Sequence, residues 1–344
     1  MHNHAQQRSS STTATFPSPI LFDYQTVSQN LTVSDAIESV EAAFSALARN
    51  EVDVPMPMHI GITETETAGP GDCHIKGGYV EGTPTFTVKL ACVSFYNNLK
   101  LEPPLPAGSG IFIVVNALTG APLAVFQENR FMTDLRTGAA GAVALKYCST
   151  PEHSQTIGFI GCGAIARNMA RAAAAVRPSF QGVAFAHDGA EEFARDMSEE
   201  LGVEFVVAGS AEDLCSQSDV IFTQTPGSEP VFETKWLKPS GVTVIASGSD
   251  QPTKQEIPAD LLASPLCKYV SDLTKQTSKV GELRSAIKEG LMTENDVYAE
   301  LGEIVNGTKK GRESNEHIVV DLTGTGAQDA AIGQVAWDKL GGRR

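Results

Sequence analysis

The feature that most constrains the fold of this chain is the turn Gly161-Cys162-Gly163-Ala164-Ile165-Ala166. It lies between an apolar run, Thr156 to Ile160, and a helical segment that runs to Val176. Each small residue has a mechanical task. Gly161 permits the tight turn, Gly163 lets a pyrophosphate approach the backbone, and Ala166 lets helix and strand pack closely. The helix start offers free N–H groups and the positive end of its dipole, so Cys162, Ala164 and Ile165 are expected to border phosphates as well. A glycine pattern alone is a weak signal; the strand–turn–helix setting makes it specific.

The surroundings agree. After Pro151, short apolar runs (Val183 to Ala186, Glu204 to Val207, Asp219 to Phe222, Val242 to Ala246, Tyr269 to Val270) alternate with helical segments. That order predicts a doubly wound parallel sheet with crossover helices. The second run leads to Phe185-Ala186-His187-Asp188. An acid there accepts hydrogen bonds from the adenosine ribose and repels a 2′-phosphate, which favours NAD(H) over NADP(H). The alternative is that Asp188 only caps the next helix.

The first part of the chain reads differently. From Thr32, Ile37, Val40, Phe44 and Leu47 share one helical face. Phe86 to Val93 alternates, Ile111 to Val115 is an apolar run, and the turn Leu118-Thr119-Gly120-Ala121-Pro122 precedes Leu123-Ala124-Val125-Phe126, so antiparallel strands are expected. Thr133 to Lys146 is Ala-rich and helical, and Ile318-Val319-Val320 precedes a Gly-rich turn and a last helix. Residues 1–19, rich in Ser and Thr, lack the apolar centre of a secretory leader and read as a disordered tail, with an organellar leader as the alternative.

Composition then narrows the function. At 344 residues there is room for two cores. A formal net charge of −15 argues against nucleic acid as a partner, and no apolar run is long enough for a membrane span. The six cysteines form no Cys-x-x-Cys pair, so neither zinc nor a redox dithiol is suggested, and a reducing, cytoplasmic setting is the simpler expectation.

Three further stretches are informative together: Leu118 to Leu123 with Met132-Thr133-Asp134-Leu135-Arg136-Thr137, Gly248-Ser249-Asp250-Gln251-Pro252-Thr253-Lys254-Gln255-Glu256, and Asp321 to Asp329. With the glycine turn they resemble the ornithine cyclodeaminase/mu-crystallin family. That resemblance implies an α/β chain: a Rossmann domain (141–314) and a smaller α+β substrate and dimerisation domain built from both ends (20–140 and 315–344). It implies a homodimer, and nicotinamide chemistry at the Cα–N bond of a small amino or imino acid. It implies that Lys89 and Arg136 hold the substrate α-carboxylate and that Asp250 faces the reacting nitrogen. Thr225, Gly248 and Thr323 are implied on the cofactor side. Two cationic donors suit a carboxylate, and an acid near the nitrogen suits an iminium. Taken singly, a surface ion pair for Lys89, a helix position for Arg136 and a turn for Asp250 remain alternatives.

Departures from the family pattern matter as much. The family's arginine after its early prolines is missing from Val54-Pro55-Met56-Pro57-Met58-His59, where His59 is the candidate replacement. Arg130 stands where relatives often carry glycine. Upstream of Lys89, where cyclodeaminases place an acid, the chain has His74-Ile75-Lys76. With Asp321 to Gly326, that stretch resembles the iminosuccinate-reductase and ectoine-utilisation branch. Lys76 is expected at a distal carboxylate, or else as an exposed strand lysine. Three functions follow: reduction of a dicarboxylic imino acid such as iminosuccinate to aspartate, ornithine cyclodeamination, and a mu-crystallin-like binding role.

Overall fold

The computed structural model describes residues 15–341. Two sheets organise it. The first holds β1 (Ile20–Phe22), β2 (Val52–Asp53), β3 (Met58–Ile62), β4 (Gly71–Val80), β5 (Thr85–Val93), β6 (Ser109–Asn116) and β7 (Pro122–Gln127). Its order is β1-β7-β6-β5-β4-β2, with β3 also paired to β4. The pairs from β4 to β7 are antiparallel, as the alternating sequence predicts, and β1 joins β7 in parallel. The expected tail overlaps residues 1–14, which lie outside the described residues; 15–19 carry no regular element and β1 begins at Ile20.

The second sheet holds β8 (Thr156–Ile160), β9 (Gln181–Phe185), β10 (Phe205–Val207), β11 (Val220–Thr223), β12 (Thr243–Ala246), β13 (Cys267–Ser271), β14 (Ala299–Glu300) and β15 (His317–Asp321). All its pairs are parallel, in the order β10-β9-β8-β11-β12-β15-β13-β14. From β8 the chain winds one way through β9 and β10, then the other way from β11. The switch point, where ligands of such sheets bind, is therefore the crevice between β8 and β11. The expectation that residues from 315 onward belong with the first domain needs correcting for β15, which lies inside this sheet between β12 and β13. Ile318-Val319-Val320 is fully buried, as an interior parallel strand must be when both faces are covered.

The helices are α1 (Tyr24–Asn30), α2 (Val33–Ala48), α3 (Phe131–Cys148), α4 (Ala164–Val176), α5 (Ala190–Leu201), α6 (Ala211–Gln217), α7 (Ala259–Leu262), α8 (Thr274–Val280), α9 (Glu282–Lys288), α10 (Leu301–Val305) and α11 (Gly326–Leu340). Thr32 and Asp35 cap α2 reciprocally, as its sequence predicts. Two close approaches join the halves. A Cβ on Gly138 of α3 would come 2.5 Å from the Asn168 carbonyl of α4, so the Ala/Gly-rich face of α3 packs almost backbone to backbone on the first helix of the second sheet. A Cβ on Gly78 would come 2.8 Å from the Gly326 carbonyl, so α11 starts directly across β4. Asp329 follows one turn into α11, over β4 and β5. Among the described residues no helix is long and apolar enough to cross a membrane.

Candidate active site

The loops that leave β8, β11, β12 and β15 meet the inner faces of β4 and β5 and the start of α3 around one cavity of about 550 Å³. Ala164, Ile165, Thr225, Gly248 and Thr323 line its second-sheet side; Lys76, Lys89, Arg136 and Asp250 also reach it. Nine residues singled out by sequence thus share one site.

Lys76 and Lys89 are register partners on adjacent strands, so their side chains share a face. Both are buried, at 7% and 1% exposure, which removes the surface alternatives. Arg136, equally buried, comes from the second turn of α3. Nothing in those sequence positions names what holds Lys89 and Arg136 together. It is Asp329, fully buried, whose Oδ1 accepts from Lys89 Nζ and from Arg136 Nε, both at 2.9 Å. Its Oδ2 has no partner. Burial and the Arg136 charge push the Lys89 ammonium down to about 7, against the pull of Asp329. Burial and Arg136 also lower Lys76, which donates to the carbonyls of Thr323 (3.0 Å) and Gly324 (2.8 Å). Gly324, at φ 75°, lies against the Arg136 guanidinium: a Cβ there would sit 2.9 Å from Nη1. The glycines of this turn are what let both cations approach its backbone.

Asp250 bonds to Lys254 at 2.8 Å. Burial opposes its charge, but Lys254 and Lys76 outweigh that and hold the carboxyl below its usual range, so it is an anion near neutral pH. His74 lines the same wall and bonds Gln251 at 3.0 Å; burial pushes its imidazole down to about 4, so it is neutral. His59 is not among the cavity-lining residues. It bonds Asp72 at 2.8 Å on exposed β3 and packs edge-on against His74, so it does not replace the missing family arginine. Arg130 does line the cavity. It has φ 71°, beside Asn129 at φ 46°, and this left-handed backbone explains why glycine suits the position. Because Arg130 gives α3 no side-chain cap, Glu128 accepts from Thr133 N and Oγ1 (2.9 and 2.8 Å) instead.

The glycine turn fits a dinucleotide. Gly161 has φ 89°, and a Cβ there would lie 2.9 Å from Thr225 Cγ2. Gly163 caps α4 with no side-chain bond, and a Cβ there would meet nothing of the chain within 4 Å. No internal packing therefore requires Gly163; what its Cβ would fill is the space over the helix N-terminus. Ala166 is buried and Cys162 half-buried. Asp188 is exposed beyond β9, and α5 is capped by Gly189 with no side-chain bond, which removes the capping alternative. The sequence motif includes Glu256 but gives it no task. It is fully buried, accepts from Thr223, Thr225 and Gly248 N, and so ties the ends of β11 and β12 into a fixed floor.

The sequence model of the ornithine cyclodeaminase/mu-crystallin family matches residues 19–343. The iminosuccinate reductase of Paracoccus denitrificans is 32% identical over 88% of this chain and 91% of its own. An archaeal alanine dehydrogenase, solved as a dimer with bound NAD, superposes with a TM-score of 0.83 at 30% identity, covering 93% of this chain and 95% of that one. The Delta(1)-pyrroline-2-carboxylate reductase of Thermococcus litoralis, solved with NADH and L-proline, gives 0.83 at 28% identity, covering 93% and 97%. The chain belongs to the ornithine cyclodeaminase/mu-crystallin family.

Proposed function

We propose that this protein is an NAD(H)-dependent imine reductase or amino-acid dehydrogenase whose substrate is a small dicarboxylic imino acid, iminosuccinate being the first to test. The observation that carries the substrate class is the charge of the cavity wall. Five basic side chains line it (Lys76, Lys89, Arg130, Arg136 and Lys254) against two lining carboxylates, Asp134 and Asp250, and Asp329 behind Lys89 and Arg136, which leaves an excess of two cations in a chain of net charge −15. Clustered cations shielded from water are unfavourable unless anions meet them. One α-carboxylate leaves part of that excess unbalanced; a dianion balances it. Ornithine would bring its distal ammonium among these cations, which disfavours cyclodeamination.

Gly161, Gly163 and the start of α4 would hold the pyrophosphate, and Asp188 the adenosine ribose. When bound, the cofactor supplies the hydride for the C=N carbon. The chain's own residues do the rest. Arg136 and Lys89 orient the α-carboxylate beside Thr225 and Gly248. Lys76, facing the same Thr323–Gly324 turn as Arg136, joins this group; its burial and carbonyl bonds favour that over the distal role expected from sequence. Asp250, kept ionised by Lys254, stabilises the positive charge of a protonated imine. A homodimer is part of this proposal. Exposed Met58, Ile60 and Val88 on β3 and β5 support it, as does the dimeric alanine dehydrogenase relative.

The test is NADH consumption with ammonium and a 2-keto acid. Oxaloacetate should support faster turnover than pyruvate. Ammonia release from ornithine without net NADH change would favour the cyclodeaminase instead.

A further inference from the structure

We propose that Arg130 is a specificity-determining residue that binds the distal carboxylate of the substrate; this deepens the dicarboxylate reading above and rests on it. Four observations converge. Arg130 lines the cavity at the N-terminal end of α3, six residues before Arg136, hence about 9 Å from it along the helix axis. A short dicarboxylate can bridge two arginines so spaced, given the reach of both side chains. Second, the backbone at φ 71° is one that glycine holds without steric penalty and arginine does not. Third, the loop between β5 and β6 makes room for the side chain: a Cβ on Gly108 would come 2.5 Å from Arg130 Cδ. Fourth, Arg130 bonds Asp134 through Nη2 at 2.9 Å, while 30% of its side-chain surface stays accessible. The accessible part of a guanidinium can still donate to a carboxylate that enters the cavity.

The other cations are more fully engaged. Lys76 gives two of its donors to carbonyls, Lys254 is paired with Asp250, and Lys89 and Arg136 converge on Asp329. Asp134, itself buried, holds Arg130 in place through the i,i+4 pair.

The experiment uses the NADH complex of the full chain, with succinate and propionate as unreactive probes, followed by nicotinamide fluorescence in wild type, R130G and R130K. Wild type should bind succinate more tightly than propionate. R130G should cut that advantage roughly 30-fold, the size of a lost charge-assisted hydrogen bond. R130K should recover only part of it, because an ammonium lacks the guanidinium fork. R130G relieves the left-handed backbone but strands Asp134, whereas R130K keeps a cation for Asp134 and should melt near wild type, so binding lost in R130K cannot be blamed on lost folding. A succinate-to-propionate ratio unchanged in R130G overturns the assignment. Turnover separates it from the functional reading. If R130G loses the succinate preference while wild type reduces no dicarboxylic imine, Arg130 stands as an anion site and the proposed reaction falls. If wild type reduces the dicarboxylic imine and R130G keeps the succinate preference, the Arg130 assignment falls alone.

Discussion

Replacing Asp329 by asparagine keeps the shape of the side chain and removes the one anion that Lys89 and Arg136 share. Both bonds are 2.9 Å long and all three groups are buried, so the variant leaves uncompensated cations in the interior. Breaking such a pair costs about 3 kcal/mol, the lower end of the usual range because the amide oxygen still accepts a hydrogen bond. For a chain of this size that is a fall in Tm of about 4 °C. The loss should depend on pH, and the direction follows from Lys89. Its folded pKa is depressed to about 7 from an unfolded value near 10.5. Above pH 7 Lys89 is neutral in the folded wild type, and D329N forfeits chiefly the Arg136 attraction. Below pH 7 the wild-type lysine is charged and held by Asp329, and the variant loses that attraction too. In D329N the folded pKa falls further, so its unfolded state binds the extra proton down to a lower pH and stability keeps dropping where the wild type has levelled off. The Tm gap should therefore be wider at about pH 6 than at about pH 8, and saturating succinate, an anion from outside, should narrow it. Calorimetry or scanning fluorimetry at both pH values decides the matter. An equal gap at both, or none at either, would refute the view that Asp329 is the counter-ion of this cluster.

Three further outcomes are expected. Affinity for an unreactive carboxylate such as propionate should fall as pH rises through about 7, because Lys89 loses its charge; titration across that range checks it, and a flat profile would mean Lys89 does not touch the ligand. Asp188→Ser should narrow the preference for NADH over NADPH roughly 30-fold, removing charged hydrogen bonds to the ribose and the repulsion of a 2′-phosphate, as read by nicotinamide fluorescence. Gly163→Ala should weaken NADH binding while leaving the melting temperature of the cofactor-free protein unchanged, since its Cβ would meet no atom of the chain within 4 Å, whereas Gly161→Ala should lower that temperature because of its φ of 89° and the nearby Thr225 methyl.

What the sequence made legible was whatever depends on local pattern. The glycine turn, the parallel strands and the antiparallel strands β5 to β7 follow from periodicity and turn chemistry, and each lies where that pattern puts it. Lys76, Lys89, Arg136 and Asp250 were found through motif resemblance, because a binding motif names the residues a ligand touches. The tasks of the groups behind them were not legible, although both stand in the quoted motifs, and the reason is physical. Asp329 and Glu256 act on cations and backbone N–H groups from elements 193 and 31 residues away in sequence, and such pairings leave no local period. The same applies to β15, whose apolar triplet fits any buried strand and whose neighbours are decided only when β12 and β13 assemble around it. Lys76 shows the same limit. Its charge was legible, but the carbonyls of Thr323 and Gly324 that absorb two of its donors arrive from the far end of the chain. Arg130 reverses that case. Nothing but its oddity at a glycine-like position was visible, and its meaning lies in a backbone angle and in the space above Gly108, two properties that exist only once the chain has folded.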